Sequence, residues 1–216
     1  MKNKIASILF LFVLCFFTNV QAQKPFTEGT IVYKVKLQAA DRSAYDGTYT
    51  FTIKGNQVKK ELRLANNYED IILINCAAGT VHRLQFIKGT KFAIQMSMAD
   101  YLKRQSKFTG FRIENEQSNA NNIAGFTAYR AMANYKDGST TDVYYTKEWQ
   151  PVQTITYERF PDAHFLPLSY TYKNDNGMTL QLTAERVSPV PVENAVFRIP
   201  PDYKILSHEE FQQLSR

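Results

Sequence analysis

Cysteine is nearly absent from this chain. Only two of its 216 residues are Cys, and one of these, Cys15, lies in an apolar run at the N-terminus. A chain left with Cys76 alone forms no internal disulfide and must be held by a hydrophobic core. Histidine is also scarce. His82, His164 and His208 are far apart and fall in no H-E-x-x-H pair, so no metal site is expected. Gly-rich phosphate loops and the G-x-S-x-G elbow are missing, which removes the common nucleotide-binding and hydrolase patterns. Cys76 and His82 read as side chains on neighbouring strands, and Cys76 as a small buried hydrophobe. Glu114, Glu116 and Asp142 are scattered, and nothing pairs them as a glycosidase would. No catalytic residue and no cofactor is expected.

A second long hydrophobic run is lacking too. The only one is Ile5 to Phe17, 13 residues preceded by Lys2 and Lys4. A bilayer-spanning helix needs roughly 20 apolar residues. Basic start, short apolar middle and Val20-Gln21-Ala22 form a secretory signal peptide, with cleavage expected between Ala22 and Gln23. Leu14 before Cys15 and Phe16-Phe17 after it do not fit a lipidation site. Loss of residues 1–22, with two Lys and one Cys, leaves 194 residues at net charge +4. One β-rich domain over 23–216 is expected, in the periplasm or outside the cell. That location argues against a nucleic-acid partner.

Aromatic residues are plentiful, at 13% of the chain with 15 Phe and 13 Tyr. They sit in runs of period two, such as Ile31, Tyr33, Val35, Leu37, and Tyr49, Phe51, Ile53, and Phe92, Ile94, Met96. Similar runs recur at Thr141–Tyr145, Ile155–Tyr157, Leu168–Tyr172 and Met178–Ala184. This is the pattern of half-buried antiparallel strands. Asp46-Gly47, Gly55-Asn56, Gly79-Thr80, Lys88-Gly89, Asp137-Gly138 and Asn176-Gly177 read as turns between them. About eleven strands at short spacing form a meander, a barrel or a sandwich. The polar run 115–122 reads as an exposed loop. No strand–helix–strand alternation occurs, which excludes a doubly wound parallel sheet.

Two short helices are predicted. Ser97 caps the first, with Met98, Tyr101 and Leu102 on one face. Ser207 to Glu210 is a capping box for the second. Basic residues cluster at Lys54, Lys59, Lys60 and Arg63, and again at Lys103, Arg104, Lys107 and Arg112. They read first as a solvated face and second as a contact for anionic headgroups or an acidic partner. The aromatic and Met side chains form either an ordinary core or an apolar cavity able to take an acyl chain.

Motif order in the second half is familiar. Ile123-Ala124-Gly125-Phe126-Thr127-Ala128-Tyr129-Arg130 precedes the Asp137-Gly138 hairpin, then Asp142-Val143-Tyr144-Tyr145-Thr146-Lys147-Glu148 and Leu166-Pro167-Leu168. The chain closes with Phe197-Arg198-Ile199-Pro200-Pro201-Asp202-Tyr203-Lys204. Over residues 26–206 this resembles the DUF4412-like secreted bacterial envelope proteins, a domain of unknown function. Phe165 and Asp202 stand where that family often has Gly. The resemblance implies the fold of the periplasmic lipoprotein carrier and outer-membrane lipoprotein receptor, a mainly-β, incomplete antiparallel barrel with one or two short helices partly covering an apolar face.

Two functions are compatible with this reading. One is a carrier for an apolar ligand, either a lipid or an acylated protein. The other is a non-catalytic accessory subunit of an envelope complex, with a filled barrel and peripheral membrane or protein contacts. For a carrier, the first helix is expected to lie across the barrel mouth. Tyr33, Phe51, Phe92, Ile94, Met96, Met98, Tyr101 and Leu102 would then line the cavity.

Overall fold

The alternation at Ile31, Tyr33, Val35 and Leu37 produces β2 (Glu28–Gln38), in which these four side chains are buried and the Lys residues between them are exposed. A computed structural model describes residues 23–153, 157–174 and 177–214. The expected signal peptide, the Ile155 part of one expected strand and Asn176 of one expected turn lie outside the described residues. A hairpin meander continues through β3 (Ala44–Lys54), β4 (Gln57–Leu64), β5 (Glu69–Asn75), β6 (Thr80–Ile87) and β7 (Thr90–Ser97). Helix α1 (Met98–Gln105) follows, capped by Ser97 Oγ accepting from the Asp100 amide, and then a 3-10 turn at Ser106–Phe108.

A second set of strands comprises β8 (Arg112–Ile123), β9 (Phe126–Asn134), β10 (Thr140–Thr146), β12 (Leu166–Lys173) and β13 (Thr179–Ser188). The short β1 (Lys24–Phe26) pairs in parallel with β11 (Trp149–Pro151). At the end, β14 (Lys204–Ser207) pairs in parallel with β7 and leads into α2 (His208–Leu214). The predicted capping box is present there. The Ser207 amide donates to Glu210 at 2.7 Å, and the Glu210 amide donates to Ser207 Oγ at 3.1 Å.

The main sheet has twelve strands in the order β14-β7-β6-β5-β4-β3-β2-β13-β12-β10-β9-β8. β2 and β13 join its halves in antiparallel register, with Val35 opposite Leu182. The edges β14 and β8 do not pair with each other, so the barrel is open and mainly antiparallel, as expected. The two parallel pairs go beyond that expectation.

Two local readings are corrected. The polar run 115–122 belongs to edge strand β8, not to a loop. An edge strand pairs through its backbone on one side only, so its side chains need no alternation. Register shifts between Glu114 and Gln117, and between Gln117 and Asn121, disturb what pattern remains. Asp46-Gly47 is not a turn but part of β3. A Cβ on Gly47 would stand 2.1 Å from the Arg63 carbonyl oxygen, so glycine here permits close approach to β4. The actual turn is at Ala39–Ser43, where Asp41 accepts from the Ser43 amide and hydroxyl.

Register places defined rows on the inner face of the sheet. One row runs Ile31, Phe51, Lys60, Ile72, Arg83, Ile94, and the next runs Tyr33, Tyr49, Leu62, Asp70. Part of this face is covered. Tyr101 of α1, Phe108 of the 3-10 turn, and Tyr157, Phe160 and Phe165 share one buried cluster with Tyr33 and Phe51. On the outer face, Ile71, Leu73, Leu84 and Ala93 are packed by Ile199 and Tyr203 of the C-terminal stretch. That second covering explains the unbroken apolar run Ile71–Ile74, because β5 is buried on both faces.

Candidate functional site

The covered end of the inner face is densely aromatic. The Tyr33 hydroxyl donates to the Pro167 carbonyl at 2.7 Å and lies 2.9 Å from the Tyr157 hydroxyl. The Phe51 ring centre is 5.3 Å from each of these two rings. Burial, reinforced by Tyr157 and Tyr170, holds the Tyr33 hydroxyl well above the ordinary tyrosine pKa.

A lysine is built into this end. The Lys60 side chain is 1% exposed, and its ammonium donates to the Tyr101 hydroxyl at 2.8 Å. Tyr101 donates in turn to Glu158 Oε1 at 3.1 Å, and Lys60 Nζ is 3.7 Å from the same oxygen. The rings of Phe51 and Tyr101 face the ammonium at 5.8 and 5.4 Å. Burial lowers the Lys60 pKa, while the Glu158 charge opposes the fall. Gln105 is 2% exposed in the same region.

The other end of the face is open. A groove of about 360 Å³ lies there, walled by Leu37, Tyr45, Tyr49, Leu62, Leu64 and Ile72, together with Met178 and Leu180. A groove of this size falls in the range of small-molecule sites. Its rim is polar. Arg83 holds Asp70 through two bonds of 2.6 and 3.0 Å, and Asn66, Tyr68 and Glu158 complete the edge.

None of the eight residues expected to line a cavity lines this groove. Tyr33, Phe51 and Tyr101 are buried in the cluster at the packed end, and Ile94 is buried outside that cluster. Met96 and Met98 are half-buried against the same cluster. Phe92 is half-buried, with its ring 6.3 Å from that of Phe211 on α2. Leu102 is 43% exposed, which corrects the expected helix face. The buried side of α1 carries Tyr101 and Gln105, with Met98 half-buried, and Leu102 is turned away. The polar Gln105 at an inward position hides this face from a hydrophobicity reading.

The groove residues do carry a sequence signal. Leu37, Tyr45, Tyr49, Leu62 and Leu64 fall on the inward phase of their strands. That phase does not say which end of a strand is covered, because α1 and the Tyr157–Phe165 segment decide it from far along the chain.

No family model matches the sequence, so the DUF4412-like resemblance finds no support from one, and no curated protein matches. Among solved structures, one similar chain is a LolA superfamily protein from Nitrosomonas europaea. The TM-score is 0.39 at 12% identity, over 83% of this chain and 93% of that one. Another is the lipoprotein LppX of Mycobacterium tuberculosis, with a TM-score of 0.41 at 9% identity, over 77% of this chain and 89% of that one. Likenesses of this size do not bear on what this chain binds.

Proposed function

We propose that this protein is an exported envelope carrier that holds the apolar chain of a lipid or an acylated protein. The open apolar groove on the inner face supports this reading, since the rest of that face is packed with its own side chains. Water in such a groove is released when an alkyl chain enters, at about 0.8 kcal/mol per buried CH₂. The packed residues Tyr33, Phe51 and Tyr101 act as the floor that the groove adjoins, and Tyr45, Tyr49, Leu62 and Leu64 hold the chain. Export requires the leader, with Ala22 as its last residue and Gln23 as the first residue of the mature chain. N-terminal sequencing of protein from the cell envelope should then begin at Gln23, and retention of Met1 would reject export by cleavage.

Native mass spectrometry of the purified mature protein, with lipid extraction, tests the carrier reading. Bound lipid is expected, as is uptake of a fluorescent fatty-acyl probe. Met178→Trp should fill the groove and abolish uptake, with a loss of unfolding free energy of no more than about 1–3 kcal/mol. A parent protein that carries no lipid and takes up no probe would favour the accessory-subunit reading instead.

A further inference from the structure

Beside the groove lies a second hollow of about 680 Å³, and its chemistry is different. Lys103, Arg104, Lys107 and Arg159 line it, and the only carboxylate among its lining residues is Glu158. Glu158 does not cancel this charge freely, because its Oε1 is already engaged by Tyr101 and approached by Lys60. Among the described residues, Lys103, Arg104 and Arg159 form no ion pair.

Arg159 is fixed in place. Its guanidinium is stacked 4.1 Å from the Phe108 ring centre and 4.5 Å from that of Tyr172, and one nitrogen donates to the Lys173 carbonyl at 2.6 Å. A guanidinium held between two rings loses little freedom when it receives an anion. Lys103 and Arg104 come from the last turn of α1, and Lys107 from the 3-10 turn that follows. The sequence cluster 103–107 is thus brought opposite an arginine more than fifty positions away.

The hollow and the groove share three walls: Glu158, Tyr172 and Asn174 line both. An apolar trough therefore opens beside a cationic one. We infer that the ligand is an anionic amphiphile, with its alkyl chain in the groove and a phosphate, sulfate or carboxylate head in the hollow against Arg159, Lys103 and Arg104. This rests on the carrier reading and adds the charge of the ligand's head to it. Charge complementarity selects an anionic head, and the shared walls place head and chain at a distance that one molecule spans. The stacked Arg159 gives the head a fixed partner, where flexible lysines alone would give only attraction.

Isothermal titration of the mature protein with dodecyl phosphate and with dodecanol tests this at low and high salt. The phosphate should bind about tenfold more tightly than the alcohol, and the difference should shrink as salt rises. Arg159→Gln combined with Lys103→Gln and Arg104→Gln should bring the phosphate down to the alcohol's affinity and leave the alcohol unchanged. The alcohol serves as the control that the variant still folds and keeps its groove. Equal binding of the two ligands by the parent would overturn the proposal and leave the carrier reading intact. Binding of neither would overturn both. Inorganic phosphate binding as tightly as dodecyl phosphate would overturn it as well, since the chain would then contribute nothing. So would charge-dependent binding to vesicles containing phosphatidylglycerol without uptake of either monomeric ligand, which would make the hollow a membrane contact.

Discussion

The Lys60 ammonium donates to the Tyr101 hydroxyl at 2.8 Å, joining the middle of β4 to α1 across the inner face. The lysine occupies a position in its strand that faces inward with Val58 and Leu62. Among the described residues its one ion-pair partner is Glu158, which is half-exposed. This bond links the helix to the sheet within the aromatic cluster.

The partnership is asymmetric, and mutation should reveal it. Lys60→Met removes a buried charge, leaves Glu158 solvated and keeps the Tyr101–Glu158 bond. It should leave stability equal to the parent or higher. Glu158→Gln removes the charge that compensates the buried ammonium and should cost about 1–3 kcal/mol. Denaturant unfolding of both variants decides the matter. A large loss for Lys60→Met with none for Glu158→Gln would contradict this arrangement.

Alkaline pH should unfold the protein through its tyrosines. Burial holds the hydroxyls of Tyr33, Tyr101 and Tyr170 well above the ordinary range. In the unfolded chain they ionise near about pH 10, so the folded state binds more protons above that point. Their stabilising share is complete below about pH 10 and is lost as the pH rises beyond it. Lys60 acts in the opposite sense. Its lowered folded pKa makes stability climb as the pH rises towards the ordinary lysine value. The urea midpoint should therefore rise slightly and then fall steeply. Phenolate absorbance from the buried tyrosines should appear together with unfolding. Complete ionisation in a folded protein would disprove their burial.

The orientation of α1 can be read from two alanine substitutions. Tyr101→Ala opens a void beside Lys60 and removes two hydrogen bonds, so it should cost about 3–5 kcal/mol. Leu102→Ala lies on the exposed side and should stay within about 0.5 kcal/mol of the parent. Thermal or denaturant midpoints measure both. Equal losses at the two positions would mean that the helix presents Leu102 inward.

The strands were largely legible because period-two burial is a local signal. β2 shows it without interruption, with Ile31, Tyr33, Val35 and Leu37 all inward. β8 was not legible, since an edge strand exposed to solvent owes its existence to the β9 backbone and not to its own side chains. Gly47 misled for a related reason: glycine marks a turn in most contexts, but here it marks a close approach to β4. The groove was hidden more deeply. Tyr49 and Phe51 are two positions apart on one face of one strand, yet Tyr49 borders open space and Phe51 is buried beneath Tyr157. Only the path of the Tyr157–Phe165 segment separates them, and no pattern within β3 encodes that path.

The junction of β2 with β13 has a kinetic consequence. Val35 waits for Leu182, whereas the pairings that link β2 through to β7 each form within a hairpin. Loop closure over such a separation is slow compared with hairpin formation. A chain delivered N-terminus first would spend an interval with the Ile31–Leu37 strand complete on one side and unpaired on the other. During that interval β2 is a sticky edge, open to a chaperone or to a second copy of itself. Lys34 and Lys36 on its outer side would then act as gatekeepers, keeping the strand soluble until the last third of the chain comes to cover it.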